Sequence, residues 1–340
     1  MSAAPFSIDD QAGADLVLAL LLEGEGQPVH GDFVAGKLGV EPTDVYRRVE
    51  ALRERGFKIA ASALGYRVIA APDRLEDDVL SPLLDARDVH CGLHCLAEVG
   101  STNEEAARLA ADGAPSLELV VAEAQTAGRG RRGRAWASPP GVNVYLSLLV
   151  RPELPAQRAP ELSLVAAVAT CEAIRAAGVR ARLKWPNDVL ANGKKLAGIL
   201  CEVAADEHDV RHAILGVGVN VNARLDELPE ELRAVATSML VESGAPIARP
   251  DFAADLVASL TTWLARHDEE GFGPVAARWR ELSSTLGAQV VVREGGRVLR
   301  GRAADLDDDG ALLVATDEGL ERILAGDVEE LRTVEGSAGN

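Results

Sequence analysis

The sequence predicts a multidomain α+β protein with three folded parts in chain order. These are a winged helix-turn-helix, a central mixed β-sheet covered by helices, and a small open β-barrel. Three observations carry this expectation. At roughly 150 residues per domain, 340 residues exceed the needs of a single core. The hydrophobic period shifts along the chain, from helical spacing, to a mixture of helical and strand-like spacing, to short strands alone. Turn dipeptides crowd the carboxy-terminal end. The expected boundaries are 1–72 for the first part, 73–90 for a linker, 91–284 for the central body and 285–335 for the barrel.

In the first part, Asp15 to Leu22 and Phe33 to Leu38 read as helices, the second stopped by Gly39. A third begins at Pro42, suited to the first helical position, and carries Val45, Val49 and Leu52 at i, i+4 and i+7 until Gly56. Lys58 to Ala61 and Tyr66 to Ile69 form a short ribbon around Gly65, completing the winged pattern. Proline, arginine and acids from Ala71 to Asp78 read as linker. The central body alternates strand-like runs (Leu119 to Ala124, Asn143 to Val150, His212 to Val221) with amphipathic helices (Asn103 to Ala111, Leu162 to Ala177, Phe252 to Arg266). From Leu286 to Leu331, strands are punctuated by Gly295-Gly296, Asp309-Gly310 and Glu318-Gly319, as in a small barrel.

Composition narrows the function. The 35 Lys and Arg against 53 Asp and Glu give −18, which argues against a chain that coats nucleic acid nonspecifically, since that needs clustered cations. The longest apolar run, Leu16 to Leu22, is far shorter than the roughly 20 residues that cross a bilayer. The start, MSAAPFSIDD, has no cationic leader, and four Cys make no disulfide framework. A cytoplasmic protein is expected.

One segment departs from the acidic background. Gly128-Arg129-Gly130-Arg131-Arg132-Gly133-Arg134 sets four guanidiniums in seven residues, and no acid occurs from Ala124 through Pro152. Alternating glycines let backbone approach a ligand closely, and guanidinium forks match phosphate and carboxylate oxygens. An anionic small molecule is the expected guest, with Trp136 anchoring the loop beyond. Further on, Asn192-Gly193 is a hairpin-turn signal, so Lys195 lies on a returning strand beside Ala197 and Gly198. Gly216-Val217-Gly218-Val219-Asn220 alternates glycines on one strand face, suited to a flat ligand lying on the sheet; it lacks the third glycine of a dinucleotide fingerprint.

Ser101-Thr102-Asn103, Gln125 to Arg134 (QTAGRGRRGR), Lys184 to Asp188 (KWPND), Lys194 to Leu200 (KKLAGIL) and Gly216 to Asn220 (GVGVN) occur in that order. Together they resemble the motifs of biotin protein ligases, enzymes that adenylate biotin and transfer it to a carboxylase lysine. The resemblance covers nearly the whole chain and points to the bifunctional type, with a DNA-binding repressor domain, a class II synthetase-like biotin/lipoate ligase core and an SH3-like carboxy-terminal domain. It implies biotin contacts from Ser101, Thr102, Asn103, Gln125, Gly128, Arg129, Gly130, Arg131, Lys195 and Gly198. It implies ATP and adenylate contacts from Arg131, Arg132, Arg134, Trp136, Asn187, Lys195 and Asn220. Arg131 and Lys195 would contact both the biotin carboxylate and the α-phosphate. Mg²⁺ would be held through the nucleotide phosphates, with no metal ligated by the chain and no permanently bound cofactor. The implied partners are the biotin carboxyl-carrier domain of acetyl-CoA carboxylase, operator DNA, and a second copy of the chain in a ligand-linked homodimer.

Chemistry supports these roles. A carboxylate attacking an α-phosphate brings two anions together, which cations must neutralise. A buried urea needs both donors and acceptors, which hydroxyl and amide side chains supply. Ser101 also heads a Ser-x-x-Glu capping box with Glu104. The acceptor lysine must lose a proton, and Asp188 is the candidate carboxylate for that task. The loops Gly128 to Arg134 and Ala223 to Ala236 are expected to order over bound adenylate. Two other readings use the same residues: a lipoate-type ligase on a related core, or a regulator that senses a small anion without catalysis.

DNA binding is expected through Tyr46, Arg47 and Arg48, but the local charge is meagre. From Glu41 to Arg67, six cations face four acids, and Glu41 and Asp44 stand at the helix start, where phosphates would meet them. Two remaining signals read as structural. His90-Cys91-Gly92-Leu93-His94-Cys95 has no zinc-finger spacing, and Asp305 to Gly310 starts like a calcium loop but has Thr316 where the bidentate Glu belongs.

Overall fold

The computed structural model describes residues 8–24, 26–294, 297–324 and 326–330. The expected Gly295-Gly296 turn, the first seven residues and residues 331–335 of the last part lie outside the described residues.

The amino-terminal part consists of α1 (Ile8–Leu22), α2 (Gly31–Leu38), α3 (Pro42–Glu54) and an antiparallel ribbon of β1 (Lys58–Ser62) and β2 (Gly65–Ala70). α2 is stopped by Gly39 at φ 64, where a side chain would be strained. α3 buries Val45, Val49 and Leu52 completely, matching its hydrophobic period, and its cap residue Glu41 makes no side-chain bond to the helix. α1 begins well before Asp15, because the alanine-containing stretch ahead of it continues the helix.

The segment 73–90, expected as a linker, is instead partly helical: α4 (Asp77–Asp85) buries Val79, Leu80, Leu83 and Leu84 against α1 and the long helix α8 (Arg249–Glu270). Its acids and proline disguise it. Asp77 and Asp78 suit a helix first turn, and Pro82 removes the N–H that would bond the Asp78 carbonyl. Arg55 supplies the missing donor to that carbonyl and also pairs with Asp15 at 2.6 Å.

The central body is a seven-stranded sheet ordered β3-β4-β5-β9-β8-β7-β6. Its strands are β3 (Gly92–Leu96), β4 (Glu118–Ala122), β5 (Val144–Val150), β6 (Arg182–Lys184), β7 (Asp188–Ala191), β8 (Lys194–Ala205) and β9 (Val210–Val219). β3 and β4 run parallel and the other neighbours antiparallel, so the sheet is mixed as expected. α5 (Thr102–Ala111) covers β4, β5 and β9 through Ala106 and Ala110. α6 (Glu161–Ala176) covers β6 to β9, with α8 and α9 (Gly273–Leu282) behind it; the short α7 (Met239–Ser243) lies between β9 and α8 in the chain. The Asn192-Gly193 turn forms as read, both residues at positive φ, 48° and 74°.

The carboxy-terminal part is a five-stranded antiparallel sheet, ordered β13-β12-β11-β10-β14. Its strands are β10 (Gln289–Glu294), β11 (Arg297–Leu306), β12 (Leu312–Thr316), β13 (Gly319–Ile323) and β14 (Asp327–Glu330). The acidic Asp305–Gly310 stretch is the β11–β12 turn, closed by Arg322 onto Asp307 and Asp309. That turn docks on the central body: the Gly310 carbonyl accepts from Trp185 Nε1 at 3.2 Å, and a Cβ on Gly310 would meet Leu164 at 2.4 Å. Among the described residues, no helix is long and apolar enough to cross a membrane.

Candidate functional site

The site is a cleft where the open face of β8 and β9 meets the start of α5, the arginine-glycine loop and the segment before α7. The antiparallel register pairs Gly198 with Gly218 and Leu200 with Gly216, which sets three glycines side by side on the sheet. Their space is taken up by the protein itself. A Cβ on Gly216 would stand 2.0 Å from Asn103 Oδ1, and one on Gly218 would stand 2.5 Å from Trp136 Nε1. The glycines were expected to admit a flat ligand directly; here they admit an indole and an amide, which line the cleft in turn. Trp136 Nε1 is buried without a hydrogen-bond partner.

Behind this lining lies a satisfied polar network. Gln125 Oε1 accepts from the Thr102 backbone N–H at 2.9 Å, and Gln125 Nε2 donates to Ser138 Oγ at 2.9 Å. Ser147 Oγ sits 2.8 Å from Thr102 Oγ1 and 2.6 Å from Asn103 Oδ1. Asn103 Nδ2 donates to the Leu200 carbonyl and, at 2.7 Å, to Glu202. Ser101 is buried at the α5 cap position but forms no side-chain cap, so the expected box with Glu104 is absent. Glu104 faces Arg129 instead, at 3.6 Å. Ser101 thereby remains a cleft residue whose hydroxyl is not committed to the helix.

The cations divide. Arg129, Arg131 and Arg134 line the cleft with Gly130, whereas Arg132 leaves it and donates to the Arg293 carbonyl of β10 at 3.3 Å. Arg132, expected at the nucleotide, is thus not among the residues that line the cleft in this structure. The reason is local: Arg131–Gly133 form a tight turn with Arg132 at φ 56, which swings its side chain away from its neighbours. Gly128 is buried under the loop, and a Cβ there would strike the Trp136 carbonyl at 2.5 Å, so it shapes the loop rather than lining the cleft. Arg131 reaches Asn187 Oδ1 at 3.4 Å. Lys195 Nζ lies 2.6 Å from Asp188 Oδ1 and 5.2 Å from the Trp136 ring centroid. Asn220 lines the far end, its Nδ2 donating to the Thr237 carbonyl at 3.0 Å. Leu228, Leu232, Val235 and Ala236 form an apolar wall, stitched to β8 by Lys195 N–H to the Val235 carbonyl, 2.8 Å.

Sequence reading missed Ser138, Ser147, Glu104 and Glu202. Ser147 carried a signal, a lone serine within the buried run Val144–Val150; Glu202 carried none, since a strand carboxylate usually faces solvent. Of the DNA-contact candidates, Tyr46 is exposed and Arg47 is paired with Asp44 at 3.3 Å. Arg48 lies against Gly13 of α1 with its Nε buried, directed into the helices instead of outward. His94 pairs with Glu118 at 2.7 Å, and burial pushes Cys91 and Cys95 up to about 11 and about 12. Both thiols are therefore protonated near neutrality.

A mixed sheet with a cation-lined cleft over paired glycines defines an anion-activating ligase core, and comparison with known proteins agrees. The family model described as "Biotin/lipoate A/B protein ligase family" matches residues 98–220, and "Biotin protein ligase C terminal domain" matches 285–329. The chain belongs to the biotin protein ligase family. Within it, the chain is 36% identical over 317 residues to the bifunctional ligase/repressor BirA of Bacillus spizizenii, covering 92% of this chain and 97% of that one. It is 38% identical over 237 residues to the biotin–[acetyl-CoA-carboxylase] ligase of Paracoccus denitrificans, covering 68% of this chain and 98% of that one. The solved biotin protein ligase of Aquifex aeolicus, in complex with biotin and ATP, superposes with a TM-score of 0.61 at 30% identity, over 70% of this chain and 97% of that one.

Proposed function

We propose that the chain is an ATP-dependent biotin protein ligase that makes biotinyl-5′-adenylate and transfers biotin to a lysine of the carboxyl-carrier domain of acetyl-CoA carboxylase. The observation that carries this reading is the convergence of Arg131 and Lys195 on one cleft whose inner end is the Ser101, Thr102 and Gln125 polar group. Biotin enters with its ureido ring toward that group and its carboxylate toward the cations. A carboxylate oxygen attacks the α-phosphorus of ATP and pyrophosphate leaves; Arg131 and Lys195 neutralise the approaching anions. Trp136, Asn187, Arg134 and Asn220 hold the nucleotide, while Arg129, Gly130 and Gly198 border the biotin chain.

In the second step the acceptor lysine nitrogen attacks the anhydride carbonyl, AMP leaves, and the amine proton passes to a base. Asp188 is the base in this reading, and its carboxylate, 2.6 Å from Lys195 Nζ, also orients that lysine. Mg²⁺ supplies charge neutralisation when bound with the triphosphate. The chain offers it no ready cage: no group of three or more His, Cys, Asp or Glu side chains converges among the described residues, and Asp188 is already engaged. No step is routed through the ion.

The finer architecture belongs to the same reading. Residues 1–72 are taken as a winged helix-turn-helix that binds operator DNA, 73–90 as a connecting segment bearing α4, 91–284 as the ligase core, and 285–335 as an SH3-like domain. The protein acts in the cytoplasm and dimerises when ligand binds, which makes it a biotin-responsive repressor as well. Pyrophosphate exchange into ATP tests the central claim. Exchange that requires biotin supports it, exchange that requires lipoate transfers the claim to the lipoate-type reaction, and no exchange with either leaves only a sensor.

A further inference from the structure

Two carboxylates face Arg129, a cation of the loop that lines the cleft. Its NH2 lies 3.2 Å from Glu202 Oε2, and its Nε lies 3.6 Å from Glu104 Oε1. Glu202 is itself anchored, because the same oxygen accepts from Asn103 Nδ2 at 2.7 Å. Asn103 is nine-tenths buried and cannot shift: its Nδ2 also bonds the Leu200 carbonyl, its Oδ1 meets Ser147, and its amide fills the space over Gly216. A chain of contacts thus runs from the sheet, through Asn103 and Glu202, to the arginine-glycine loop.

We propose that Glu202 is a positioning residue for the adenylation reaction, acting through Arg129 to clasp the arginine-glycine loop over the cleft. This rests on the ligase reading for its catalytic consequence, not for the clasp itself. With its charge balanced by Glu202 and Glu104, Arg129 holds the loop, and Arg131 and Lys195 meet the substrate anions. Glu202 touches neither the reacting carboxylate nor the phosphate in this arrangement. Its removal therefore loosens retention of substrate and adenylate and leaves the chemical step intact once the loop is closed. An ion pair this exposed is worth at most about 1 kcal/mol, which corresponds to roughly a fivefold change in loop opening.

The test uses the full-length protein and the Glu202→Gln variant, which keeps an oxygen for Asn103 and loses the charge facing Arg129. Trypsin cuts after arginine, so nicking within Gly128–Arg134 reports loop opening without any substrate. The expected result is nicking about three to five times faster than wild type, with an unchanged melting temperature. In biotin-dependent pyrophosphate exchange, KM for biotin rises by a similar factor and kcat stays within about twofold. Glu104→Gln should give a smaller change of the same kind, its carboxylate lying farther from Arg129 than that of Glu202. Equal nicking rates, or a fall in kcat at constant KM, would overturn the proposal. If Glu202→Gln fails to fold, the Glu104→Gln nicking rate decides it. If no variant shows exchange but nicking still accelerates, the clasp stands and the ligase reading is what falls.

Discussion

Arg131 illustrates how little a functional side chain need contribute to the fold. It lies on the arginine-glycine loop and reaches Asn187 Oδ1 at 3.4 Å. Arg131→Ala should shift stability by no more than about 0.5 kcal/mol, while removing the proposed charge-assisted contact to adenylate, of a kind worth about 1.5–3 kcal/mol. Stopped-flow release of the adenylate should then be tenfold to a hundredfold faster at an unchanged melting temperature; a large thermal shift would assign the residue a structural task. The four cysteines make a second prediction. Burial pushes Cys91 up to about 11 and Cys95, Cys171 and Cys201 up to about 12. Raising the pKa of a thiol lowers its thiolate fraction at a given pH, so native alkylation by iodoacetamide at pH 8 should be roughly a hundredfold slower than in urea at Cys91 and roughly a thousandfold slower at the other three. The native rate should keep climbing above pH 9, where the unfolded rate has levelled off; a plateau in the native protein near pH 9 would contradict the assigned burial.

At the scale of elements, the β8–β9 hairpin sets the site through its register. Gly198 faces Gly218 across the two strands, and the pair seats the Trp136 indole. Gly218→Ala would drive a methyl into the indole and cost about 1–3 kcal/mol in displaced packing. Trp136 should move, and its fluorescence with it, because Trp185, Trp263 and Trp279 are buried elsewhere; biotin affinity should fall in parallel. An unchanged emission spectrum and affinity would show that the indole does not depend on the glycine pair. The loops over the cleft give a further expectation. Amide exchange in 128–134 and 223–236 should slow when biotin and ATP are added together; exchange that ignores both ligands would argue against closure. The motifs made these elements legible beforehand, whereas α4 was hidden, since its Pro82 and acids read as linker until Arg55 was seen to satisfy the carbonyl that Pro82 strands.

For the whole molecule, the join between the amino-terminal part and the core rests on Arg249, which is 1% exposed. It bonds Asp73 at 2.8 Å and Glu123 at 2.7 Å, while Glu123 Oε1 accepts the Leu75 N–H at 2.6 Å. Arg249→Met would leave these carboxylates unpaired at about 3–5 kcal/mol, read as a lower denaturation midpoint together with faster proteolysis near residue 74. A midpoint within experimental error of wild type would remove Arg249 from this role. On DNA, the inward placement of Arg48 and the Asp44 partner of Arg47 lead to low affinity for random duplex and a shallow salt dependence; tight, steeply salt-dependent binding by fluorescence anisotropy would show that other cations carry the interface.

The order of motifs along the chain by itself determined the family, the mixed sheet with its helices and the cation-rich loop, because these depend on residue types and short spacings. Tertiary structure alone decided which arginines share the cleft, that Asn103 and Trp136 fill the space over the glycines, and that Glu202 and Ser147 bond Asn103. Those outcomes turn on contacts between segments far apart in sequence, such as Asn103 with Glu202 and Arg132 with Arg293. Strand register and loop dihedrals fix such contacts, and no local pattern encodes them.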